Sequence, residues 1–259
     1  MQIALIKKDI RSVSSNRNLF MALLIVPIIM TVVLPSIFML IIGLTPMESP
    51  DFQELLAILP ESMFGGDLRA ALIKLLLNNI IPVFYLMIPV MAASVTAASS
   101  FIGEKEKRTL ETLLYCPLSL KQIFAAKVMA SLILSQFVSI VSFVAMTLVV
   151  QTEVWFITGS LALPGLNWLI LLVLVSPAFS LVAITLIVRI SAKSKSVEES
   201  QQRTVFLIIP IILLAVGQFS GVLLISEWLL LGIGILCTAI GYLLLRRSSE
   251  DFHYEKLLQ

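Results

Sequence analysis

The stretch LFMALLIVPIIMTVVLPSIFMLIIGL, residues 19–44, decides the fold. It has no charged residue, and its only polar side chains are the hydroxyls of Thr31 and Ser36. An α-helix of about 20 apolar residues crosses a hydrocarbon core of about 30 Å. Five more stretches of this kind follow, at residues 80–102, 128–150, 168–188, 204–225 and 228–245, none with a charge inside. A bilayer core offers backbone polar groups no partners, so each must be a helix. The sequence predicts an all-α polytopic membrane protein with six transmembrane helices. Its composition agrees: of 259 residues, 59% are hydrophobic and 13% charged, which excludes an ordinary soluble domain.

Where the charges fall sets the topology. Lys7, Lys8, Arg11 and Arg17 precede the first span. Lys105, Lys107, Arg108, Lys121 and Lys127 lie between spans two and three, and Arg189, Lys193, Lys195 and Arg203 between four and five. Arg246, Arg247 and Lys256 close the chain. Of the 18 Lys and Arg, the opposite side keeps only Arg69 and Lys74. Lys and Arg favour the cytoplasmic side, so both termini are predicted to be cytoplasmic. The chain then divides into an amphipathic helix (1–18), a six-helix transmembrane domain (19–245) and a cytoplasmic tail (246–259). The localisation expected is a cell membrane, multi-pass.

Before the first span, Ile3, Ile6, Ile10 and Val13 recur at helical spacing, with Lys7, Lys8, Arg11 and Ser14 on the other face. That pattern predicts a helix over 2–16 lying in the membrane interface, in contact with lipid. The outer loop, 45–79, reads as two short helices on the membrane surface, the second capped after Gly65-Gly66-Asp67. Pro82 and Pro89 sit in the second span. Trp155 and Trp168 are predicted as interfacial anchors. In the third span Ser131, Ser135, Ser139 and Ser142 form one stripe, with Gln136 beside it. The stripe either lines a path or hydrogen-bonds to neighbouring helices. Gly217-x-x-x-Gly221 permits close backbone approach, within or between subunits, and Gly232-x-Gly234 reads as a packing feature.

Chemistry is sparse. There is no Gly-x-x-x-x-Gly-Lys-Ser/Thr loop for nucleotide phosphates, one histidine (His253), and two lone cysteines, Cys116 and Cys237. No disulfide, metal site, catalytic residue or bound cofactor is expected, and nothing points to nucleic acid. Carriers driven by protons usually keep ionisable groups at membrane depth. These spans have none, so any transport would draw energy from outside the chain.

The most specific segment is FIGEKEKRTLETLLYCPLSLKQIFAAK, residues 101–127. It reads as a charged extension of span two, then a short helix with Leu110, Leu113 and Leu114 on one face, stopped by Pro117. Ser119-x-x-Gln122 is a capping box opening the next helix. A leucine face in the cytosol needs lipid or a partner protein to cover it. The segment resembles the signature of ABC-2 type permeases in Gly103, Glu104, Glu106, Thr109, Leu110, Glu111, Leu113, Leu114, Pro117, Ser119 and Lys127. The chain departs from some members between its last two spans, where Ser226-Glu227 leaves no room for re-entrant helices.

The resemblance implies an exporter's membrane subunit that works as a dimer, with an identical or closely related second permease. ATP and Mg would be bound by separate ABC ATPase subunits. Residues 103–119 would be the coupling element docking on the ATPase, and the N-terminal helix an elbow. It further implies a bacterial or archaeal plasma membrane. Members export sodium, drugs or antimicrobial peptides, so the substrate stays open. The competing reading is a stand-alone channel or facilitator, which would account for the missing energy motif but not for the leucine-faced segment.

Overall fold

The computed structural model describes residues 2–45, 68–106, 118–161, 164–191, 209 and 227–250. Among these there is helix and no strand. Helix α1 is Gln2–Ser15 and α2 is Arg17–Leu44. Helix α3 joins Leu68–Leu75, a π-helical turn Leu76–Ile80 and Ile81–Glu106. Helix α4 is Leu120–Thr158. Helix α5 joins Leu166–Ile170, a second π-helical turn Leu171–Val175 and Ser176–Ser191. Helix α6 is Glu227–Glu250.

Helices α2 to α6 each contain a segment long and apolar enough to cross a membrane. They correspond to the expected spans one, two, three, four and six. The remaining one, 204–225, lies outside the described residues apart from the single helical residue 209.

The helix ends follow their sequences. Asn16 caps α2, its Oδ1 accepting the Leu19 N–H at 3.4 Å. Gly159 closes α4 with φ 67°, a conformation that costs glycine little, and its N–H reaches the Trp155 carbonyl at 2.9 Å.

The two π-helical turns share a cause. In the first, the Ile81 N–H bonds to the Leu76 carbonyl, five residues back, and residue 82 is proline. In the second, the Ser176 N–H bonds to the Leu171 carbonyl, and residue 177 is proline. A proline ring would collide with the carbonyl four residues behind it in an α-helix. One wider turn just before each proline moves that carbonyl away and lets the helix continue.

Helix α3 is central: 72% of its most apolar stretch is buried, against 22% for α2 and 17% for α6. It packs on α4 and α5, while α2 lies on α4 and α6 on α5. Helix α2 buries every fourth residue, Leu23, Pro27, Thr31, Pro35 and Met39, and exposes Met21, Ile25, Ile29, Met30 and Val33 on other faces. An apolar face of this kind suits contact with lipid or with another apolar helix.

Two expectations are corrected. Residues 68–75 do not form a separate surface helix; they extend α3, with Leu72, Ile73, Leu76 and Leu77 buried in the bundle. The first short helix expected in the outer loop lies outside the described residues. Trp168 is not an interfacial anchor. It is 1% exposed and packs edge-on against Tyr85 at 5.5 Å, with Phe143 at 5.4 Å. Trp155 is exposed, as an anchor would be.

Candidate functional site

The 103–127 segment is carried by two helices. Gly103, Glu104 and Glu106 fall in the last described turn of α3. The apex, with Thr109, Leu110, Glu111, Leu113, Leu114 and Pro117, lies outside the described residues, as do Gly217 and Gly221. The returning arm starts with the predicted capping box. The Gln122 N–H donates to Ser119 Oγ at 3.3 Å, and the Ser119 N–H donates to Gln122 Oε1 at 3.0 Å.

Just inside these arms lies a buried charge cluster. Lys127 is in the third turn of α4 rather than in a loop, and it is 2% exposed. Its Nζ donates to the Ser100 carbonyl at 2.6 Å, approaches Ser100 Oγ at 3.3 Å and stands 3.7 Å from Asp9 Oδ2. Ser100 Oγ donates in turn to Asp9 Oδ2 at 2.9 Å. The ammonium also lies over the Phe101 ring, 5.5 Å from its centre, and Phe101 meets Phe124 edge-on at 5.9 Å. Either charge alone would be strongly unfavourable there; together, with the serine between them, they are compensated.

Asp9 reaches this place because α1 turns the face of Leu5, Asp9 and Val13 toward the bundle. Leu5 packs with Ile123 and Ala126 at the start of α4. Val13 is buried in the protein contact, Ile6 packs beside Leu5 and Ile10 beside the main core, and Ile3 is 80% exposed. The sequence reading missed Asp9. Its signal is that it is the only acid before Glu48.

The polar stripe of α4 faces the bundle: Ser131, Ser135, Ser139 and Ser142 are all buried. Gln136 donates through Nε2 to Ser180 Oγ at 3.0 Å and accepts from Ser176 Oγ at 3.1 Å, tying α4 to α5. The Tyr85 hydroxyl donates to the Ser139 carbonyl at 2.8 Å, tying α4 to α3. Ser135 bonds back to the Leu132 carbonyl at 2.9 Å. The Ser131 and Ser142 hydroxyls have no hydrogen-bond partner among the described residues. Such interhelical bonds average about 0.6 kcal/mol in membranes, so the stripe fixes helix register more than it adds stability.

A family model described as ABC-2 type transporter matches residues 3–230, from the first turn of α1 into α6, and so includes the whole 103–127 segment. No curated protein and no solved structure matches the chain.

Proposed function

Because the chain belongs to the ABC-2 type transporter family, we propose that it is the transmembrane permease subunit of an ATP-driven exporter. The observation that carries this reading is the family match across 3–230, together with the signature residues of 101–127. The apolar helices and the family make it a multi-pass membrane protein. The finer topology we propose has six spans with both termini in the cytoplasm, resting on the charge asymmetry of the loops.

The family normally works with an ABC ATPase. In this reading ATP and Mg are bound by that separate subunit, and this chain catalyses no reaction itself. Residues Gly103 to Pro117 dock on the ATPase, and a second permease, identical or closely related, completes the path through contacts that include Gly217 and Gly221. The chain would sit in a bacterial or archaeal plasma membrane.

The test is to purify the chain in lipid nanodiscs alone and with a candidate ABC ATPase. A stable complex whose ATP hydrolysis differs from that of the free ATPase is the expected result. An ATPase that never associates, together with passive flux through the chain alone, would replace this reading with a stand-alone channel.

A further inference from the structure

Three helices meet at one buried ion pair. Asp9 belongs to α1, Ser100 to the last turns of α3 before Gly103, and Lys127 to the first turns of α4 after Ser119. The pair therefore joins the N-terminal helix to both arms of the 103–119 segment. Asn16 is the one residue between α1 and α2, so α1 is also tied to the first span.

An ion pair is not needed merely to hold helices together. Apolar side chains of similar volume commonly do so as well or better. The charged cluster differs in how it resists relative motion. Its hydrogen bonds, at 2.6 and 2.9 Å, are short and directional. Sliding α1 or α4 while the others stay would leave a buried charge unpaired, which is strongly unfavourable. An apolar contact would allow small sliding at little cost. The arrangement favours α1 and the two arms moving as one body.

We propose that Asp9 and Lys127, bridged by Ser100, are positioning residues for energy coupling. They lock α1 to both arms, so a displacement of the 103–119 segment is delivered through α1 to α2. The proposal rests on the reading of the chain as a permease subunit. The N-terminal helix is then a moving part of the coupling apparatus as well as an interfacial anchor.

The test uses the full chain in nanodiscs with its ATPase subunit. Backbone hydrogen–deuterium exchange is followed by mass spectrometry, with and without a non-hydrolysable Mg–ATP analogue. In the wild type, nucleotide is expected to change exchange in residues 103–119 and in residues 2–15 together. The variant is Asp9→Leu/Lys127→Met, which removes both charges at once and leaves neither unpaired. Its thermal unfolding is expected to stay near wild type. The response of 103–119 should persist and that of 2–15 should be lost.

A variant that passes the response to 2–15 as the wild type does would overturn the proposal. So would a wild type in which 103–119 responds and 2–15 does not. If the double variant fails to insert, Ser100→Ala takes its place, leaving both charges and removing only the bridging hydroxyl. A weakened response in 2–15 is then expected, and an undiminished one overturns the proposal. If no ATPase binds the wild-type chain, the permease reading falls first, before any variant is compared, and the clamp falls with it.

Discussion

The indole N–H of Trp168 donates to the main-chain carbonyl of Leu77 at 2.9 Å, deep inside the bundle. That carbonyl has lost its partners within the helix. The Ile81 N–H, which an α-helix would give it, goes to Leu76. The next candidate is residue 82, a proline with no N–H. Trp168→Phe keeps a ring beside Tyr85 and Phe143 but leaves the carbonyl unsatisfied. We expect a loss of about 1–2 kcal/mol, read as a lower unfolding midpoint in detergent micelles. Adding Pro82→Ala restores a main-chain N–H at residue 82 and should recover part of the loss. No recovery would show that the tryptophan acts by packing alone.

Helix α6 lies against α5 through two glycines. A Cβ on Gly234 would stand 2.8 Å from Leu174 Cδ2, and one on Gly241 would stand 2.8 Å from Leu181 Cδ2. Gly232 has nothing within 4 Å. The Gly232-x-Gly234 pair thus splits into one packing glycine and one on open space. Gly234→Leu should cost about 1–3 kcal/mol by overfilling the contact. Gly232→Leu should stay within about 0.5 kcal/mol. Unfolding midpoints of the two variants in the same micelles check this, and equal losses would contradict it.

What the sequence made legible here are features that local physics determines. Apolar length marks the five described spans, Ser119 and Gln122 are close enough to announce their capping box, and the N-terminal helix ends within a residue of its predicted boundary. What stayed hidden depends on partners far along the chain. The spacing in α1 shows an apolar face and a basic face but names no partner for Asp9, which turns inward to Lys127. Trp168 reads as an anchor from its place near a span end, whereas its ring partners Tyr85 and Phe143 and the carbonyl freed by Pro82 lie far along the chain. The serine stripe showed its polarity, but Ser176 and Ser180 on α5 were needed to show where its hydrogen bonds go.

The charge asymmetry predicts orientation directly. A reporter fused after Gln259, and one inserted near Lys195, should both report cytoplasm; one near Gly65 should report the outside. An even number of spans is required for both termini to share a side. An outward signal at Gln259 would therefore mean that residues 204–225, or another of the six stretches, do not cross.

The coupling segment should tolerate loss of a charge better than loss of a leucine. A leucine buried in a protein groove contributes roughly 1.5–3 kcal/mol by area. An exposed ion pair at the rim contributes about 0–1 kcal/mol. Leu113→Asp should therefore weaken ATPase binding about tenfold or more, and Glu106→Gln should change it little. Both variants should insert normally, because neither residue falls within the apolar part of a span. The measurement is the affinity of the ATPase for nanodisc-embedded wild type and variants at matched expression, with ATP hydrolysis read on the same samples. If Leu113→Asp matches the wild type in both, the leucine face rests on lipid headgroups instead of a protein groove. The ATPase would then have to grip the permease somewhere other than the 103–119 segment.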